Sequence, residues 1–149
     1  MIHERFSSRA WLLDGPIHSL PGILQWEASQ LSFVMLDQGT FSDERFGALW
    51  QKWKTAQYDG SADFPTPLFT VTRDAVSGFR IPWYYFGAGA FMTIQGTPLR
   101  FSFVKPQNTV EPTYYSEAFN AWRGGQGQQE VNLLEGKQSG KTWKRLLTS

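Results

Sequence analysis

A chain of 149 residues fits one domain, or one domain with a single insertion, and leaves little for a separate second core. Its 41% hydrophobic and 16% aromatic content, with 12 Phe, 7 Trp and 5 Tyr, supplies an aromatic-heavy core and excludes disorder of the whole chain. Fourteen Lys and Arg against 13 Asp and Glu leave a net charge of +1, so no global field draws the protein to nucleic acid or to an anionic membrane, and any electrostatic site has to be local. The absence of Cys removes disulfides, thiolate nucleophiles, Fe–S clusters and Cys-type zinc sites together. The run Ala10-Trp11-Leu12-Leu13 stops at Asp14-Gly15-Pro16, too short for a signal sequence, and no segment approaches the ~20 apolar residues of a spanning helix. A cytoplasmic location is the expectation.

Alternation of apolar residues predicts strands at about 8–14, 22–27 and 31–36, with Leu24 and Trp26 on one face of the second and Leu31, Phe33 and Met35 on one face of the third. Between Gly39 and Gly60 the period becomes helical. Phe46, Leu49, Trp50, Trp53 and Gln57 follow the N-terminal Asp43 and Glu44, which predicts a helix over 42–57 inside an insertion at 40–60. Strand character returns at Leu68-Phe69-Thr70-Val71 and from Val76 to Trp83, where Pro82 argues for an edge or a strand end. A hairpin folded about Gly96-Thr97, with Gly first as a type II′ turn requires, pairs Ile94 with Leu99, Met92 with Phe101 and Ala90 with Phe103. The opposite face then holds Thr93 beside Arg100 and Phe91 beside Ser102. Gly87-Ala88-Gly89, which lacks the rest of a phosphate loop, is expected to form a tight turn or bulge between strands.

After Pro106 comes a polar segment with a short helical candidate at Tyr115, Ala118, Phe119 and Trp122, and Gly124 to Gln129 reads as connector, so that 106–129 links the sheet to a last helix at 130–148. In that helix Leu133, Gly136, Gly140, Trp143 and Leu147 make one stripe. Each interior Gly costs about 1 kcal/mol relative to Ala, so the helix backbone is expected to approach the sheet closely there. Lys137, Lys141, Lys144 and Arg145 fall on the other side as a basic strip.

Phe79-Arg80-Ile81-Pro82-Trp83-Tyr84-Tyr85-Phe86-Gly87, then Leu99 to Pro106, then Gly140-Lys141-Thr142-Trp143-Lys144 with Leu147, resemble a family of small bacterial GRAM/PH-like (pleckstrin-homology-like) proteins. The resemblance spans roughly 8–36, 66–106 and 130–148; the insertion at 40–60 is not part of it. It implies a mainly β fold in which a seven-stranded antiparallel bent sheet or barrel is capped by a C-terminal helix. It also implies binding rather than catalysis, with membrane phosphoinositides or protein segments as ligands. Phosphoinositide sites place Lys and Arg around the first hairpin loop, whereas Asp14 to Gly22 offers Asp14, His18 and neither Lys nor Arg.

The candidate partner surface is aromatic: Trp50, Trp53, Trp83, Tyr84 and Tyr85, set against the alternative that these side chains are core. A protein or peptide partner is expected, with no nucleic acid. Peripheral membrane contact through the insertion helix or the 17–20 loop, aided by Lys137, Lys141, Lys144 and Arg145, is the alternative. The same strip also reads as a solvated face that complements the helix dipole. No cofactor, metal or catalytic residue is expected, because His3 and His18 are the only histidines and the carboxylates fall at turns and helix starts.

Overall fold

The computed structural model describes residues 5–15, 18–54, 63–82, 87–106 and 133–148. Seven antiparallel strands form one sheet: β1 (Phe6–Asp14), β2 (His18–Glu27), β3 (Gln30–Met35), β4 (Thr66–Thr72), β5 (Val76–Arg80), β6 (Gly89–Ile94) and β7 (Thr97–Ser102), in the spatial order β4-β3-β2-β1-β7-β6-β5. Among the described residues two helices join it, α1 (Asp43–Lys54) between β3 and β4 and α2 (Leu133–Thr148) after the sheet. The expected helix ends at 55–57, the helix start at 130–132, the candidate helix at 115–122 and the connector beyond Pro106 lie outside the described residues, as do Trp83, Tyr84 and Tyr85.

The sheet is curled but open. Phe33 on β3 and Phe101 on β7 have ring centroids 5.2 Å apart, although β2 and β1 stand between them. Three strand spacings of about 4.8 Å would hold them about 14 Å apart in a flat sheet, so the sheet bends over its own inner face. The outermost described strands, β4 and β5, do not pair with each other, which corrects the barrel alternative: the seven strands form an open sheet with β4 and β5 at its edges. Both edges carry irregularities that break up a template for further strands. In β4 the register shifts beside Pro67, and in β5 between Ser77 and Arg80, where Gly78 has φ +64°.

The β6–β7 hairpin forms, but not in the expected register. Ile94 pairs with Thr97, Met92 with Leu99 and Ala90 with Phe101, so the turn is Gln95-Gly96 rather than Gly96-Thr97. Both turn residues have positive φ, +50° and +83°, the mirror-image type I′ turn whose twist matches that of the strands. The slip is two residues, so every side chain keeps its expected face while its partner changes. Arg100 therefore stands opposite Phe91, not Thr93.

Strand β2 begins at His18, earlier than the alternation suggests, because Leu20-Pro21-Gly22-Ile23-Leu24 is a continuous apolar run. Such a run is the mark of a strand buried on both faces. Leu24 and Phe33 join the main core, while Ile23, Val34 and Leu36 form a second buried cluster on the other side. Trp11, one residue from Leu12 on β1, is 1% exposed.

Helix α2 lies across the mouth of the bend. Its expected stripe is the buried one: Gly136, Gly140, Trp143 and Leu147 face inward. A Cβ built on Gly140 would collide with the carbonyl oxygen of Gly87, and one on Gly136 would come within 2.6 Å of Val104 Cγ1. The Trp143 indole N–H donates to Ser8 Oγ at 2.9 Å, its ring meets Phe6 edge-on at 5.0 Å, and Arg73 Nε donates to the Leu146 carbonyl at 3.1 Å. The helix thus ties β1, the β4–β5 connection and the start of β6 to one another.

Two outcomes follow from these contacts. Gly140→Ala should gain helix propensity yet lose about 1–3 kcal/mol overall, since the new methyl meets backbone that cannot rotate away; chemical denaturation measures it, and a stabilised variant would refute the tight seat. The β2–β3 turn holds Ala28 and Ser29 at φ +53° and +61°. Replacing them together, Ala28→Asn and Ser29→Gly, should raise stability by about 1 kcal/mol, read as a higher denaturation midpoint with unchanged slope.

Candidate functional site

Helix α1 starts at an N-cap that periodicity alone does not reveal: Ser42 Oγ accepts the backbone N–H of Arg45 at 3.2 Å. Asp43 and Glu44 in the first turn and Lys52 and Lys54 in the last complement the helix dipole. Phe46 is fully buried and fastens the helix to the sheet, with Phe64 at 6.0 Å between ring centroids. Trp50 and Trp53 are partly buried and pack against the core. Trp53 meets Phe69 of β4 at 5.0 Å. Lys54 Nζ sits 4.7 Å from the centre of the Trp50 ring and donates to the Pro67 carbonyl at 2.9 Å. The two tryptophans are therefore anchors of the helix first, with part of each left accessible.

Beside this helix runs a groove of about 660 Å3, bordered by α1, the end of β1 and the start of β7. Leu12, Leu49, Trp53 and Leu99 give it an apolar floor. Asp14, Arg45, Lys52 and Arg100 give it a charged rim, three cations to one carboxylate. Arg45 Nη1 and Asp14 Oδ2 pair at 2.8 Å with about half of each side chain exposed, 46% and 51%, so the pair orients the rim and contributes at most about 1 kcal/mol. Arg100 Nη2 donates to the Gly15 carbonyl at 2.8 Å, bracing the β1–β2 turn against β7.

Of the residues expected to contact a partner, only Trp53 reaches this groove among those described, with Trp50 one turn away on the same helix. Lys137, Lys141, Lys144 and Arg145 are exposed on α2, the helix that packs on β5 and β6, away from the groove lining. Arg45, Arg100 and Asp14 were not foreseen as site residues. They lie far apart in the chain, and only the β1–β7 pairing and the seat of α1 bring them together.

His18 and Asp74 each have structural partners. His18 Nδ1 lies 2.9 Å from the Thr40 carbonyl and its ring rests edge-on to Phe41 at 6.3 Å. The Thr72 hydroxyl, followed by its own backbone N–H, holds the exposed Asp74 carboxyl below its ordinary value. That linkage favours the fold above the unfolded carboxylate range and is lost as pH falls through the folded value. Among the described residues no three His, Asp or Glu converge as a metal-ligating cluster, and no helix is long and apolar enough to cross a membrane. No protein-family model, curated protein or solved structure matches the chain.

Because Trp53 packs on Phe69 and the core, Trp53→Ala should cost about 2–3 kcal/mol in denaturant unfolding. A midpoint unchanged within error would mean that the indole serves the groove alone.

Proposed function

We propose that the protein is a non-enzymatic binding module of the pleckstrin-homology-like, GRAM-like type, acting in the cytoplasm, and that the groove beside α1 receives a segment of a partner protein. The fold side of this reading is supported by the antiparallel order of the seven strands, the curl that brings Phe33 to Phe101, and a C-terminal helix seated across the mouth. The functional side rests on one observation: an open groove of about 660 Å3 that combines an apolar floor with a charged rim. Apolar side chains of a partner would fill the floor, while the rim fixes their orientation, the division of labour found in protein interfaces. Trp53 supplies a rigid aromatic wall, with Trp50 one turn away on the same helix, while Trp83, Tyr84 and Tyr85 remain candidates for partner contact that lie outside the described residues.

Ala48 is exposed and lines the groove without joining the core, which makes it the place to block binding without unfolding. Ala48→Trp should leave stability within about 0.5 kcal/mol and abolish retention of the partner, compared by mass spectrometry of proteins held from an extract of the source cells by each form. Partners retained equally by both forms would remove the groove from the binding surface.

A second reading has its own observation. Leu134 is 65% exposed at the start of α2, the helix that also displays Lys137, Lys141 and Lys144. An apolar side chain among exposed lysines suits peripheral contact with an anionic membrane. Co-sedimentation with anionic vesicles at low salt should then fall several-fold on Lys137→Gln/Lys141→Gln/Lys144→Gln; no sedimentation of the wild type ends this reading.

A further inference from the structure

The groove does not stop at the rim. A second, smaller depression of about 270 Å3 lies on the outer face of β5, β6 and β7, and it shares Pro98, Leu99 and Arg100 with the first. Across its floor three side chains stand in register: Arg80 of β5 opposite Phe91 of β6, and Phe91 opposite Arg100 of β7. The Arg80 guanidinium lies 4.6 Å from the centre of the Phe91 ring. Arg100 turns instead toward the Gly15 carbonyl at the groove rim. Among the described residues neither arginine has a carboxylate partner, and the one carboxylate among those lining either depression, Asp14, is taken by Arg45.

From this continuity we infer that the bound partner segment is acidic: its apolar side chain enters the groove beside α1, and carboxylates next to it in sequence lie over Arg100 and Arg80. The inference rests on the peptide-binding reading above and adds the chemistry of the ligand. Arg80 already stacks on the half-buried Phe91 ring. A second guanidinium on the same ladder, with Lys52 beyond it, leaves a local excess of positive charge on a chain whose net charge is only +1. The spacing favours an extended chain. Arg80 and Arg100 are two strands apart, about 10 Å, and a polyproline-type segment brings residues i and i+3 to one face about 9 Å apart. Bidentate pairing of each guanidinium with a carboxylate gives directional recognition as well as charge. A membrane fits this strip less well, because among the described residues the large hydrophobic side chain that stands exposed, Leu134, belongs to α2 and to neither depression.

Panning a random dodecapeptide display library on the full chain tests the inference. Enriched peptides should carry an apolar residue near two acidic residues spaced three apart, and their affinity should fall about tenfold in Arg80→Gln/Arg100→Gln and again as salt rises. Arg80→Lys/Arg100→Lys, which keeps the charge, should recover most of the loss, and an unchanged melting temperature in both variants shows that the fold is intact. Enriched peptides that are neutral or basic, or that ignore the Gln variants yet are blocked by Ala48→Trp, would overturn the acidic ligand and leave the groove reading standing. No peptide sensitive to Ala48→Trp would end both. Anionic vesicles bound through Arg80 and Arg100 would likewise overturn it in favour of lipid.

Discussion

An open, strongly curled sheet needs its apolar interior covered, and the close seating of α2 against β1, β5 and the start of β6 is the constraint on which the remaining structure depends. The seat is made of backbone. Gly140 lies against the Gly87 carbonyl and Gly136 against Val104 and Ala88, distances that only residues without a Cβ allow. Glycine weakens a helix, so the two positions exchange local propensity for proximity. That proximity lets Trp143 bury its whole ring while its N–H finds Ser8 on β1. The helix thereby bridges strands at opposite sides of the bend, and the sheet keeps its curvature without the strand pairing that would close a barrel.

Curvature also produces the candidate site. Because β1 pairs with β7, the end of β1 and the start of β7 meet at one rim, and α1 returns along it after leaving β3. Phe46 and the two tryptophans hold the helix from one side through Phe64 and Phe69, which leaves Arg45, Ala48 and Lys52 bordering the groove. An aromatic-rich helix in a small domain is thus both part of the core and the wall of a surface, since a partly buried indole can pack with one edge and present another.

Much of the fold is legible in the chain. The alternation of Leu31, Phe33 and Met35, the helical period through Phe46, Leu49 and Trp53, and the stripe through Gly136, Gly140 and Trp143 each correspond to the buried side of the element they belong to. The β6–β7 turn shows where reading stops: placing Gly96 first or second in the turn leaves every side chain on the same face, so hydrophobic pattern cannot separate the two registers. Backbone twist separates them, through positive φ at Gln95 as well as Gly96. The second buried cluster of Ile23, Val34 and Leu36 is a similar case, because alternation assigns one inner face and burial of the other depends on what the rest of the chain covers.

Sequence by itself determined the identity of the elements, the inward faces of the strands and the glycine positions at which α2 needs close contact, because these depend on periods of two and 3.6 and on side-chain size. Tertiary structure decided the hairpin register, the open rather than closed sheet, and the meeting of Asp14, Arg45 and Arg100 at one rim with Arg80 and Phe91 beside it. Those outcomes depend on twist and on pairings between distant segments, and residues scattered between positions 14 and 100 carry no local mark of the neighbours that folding gives them.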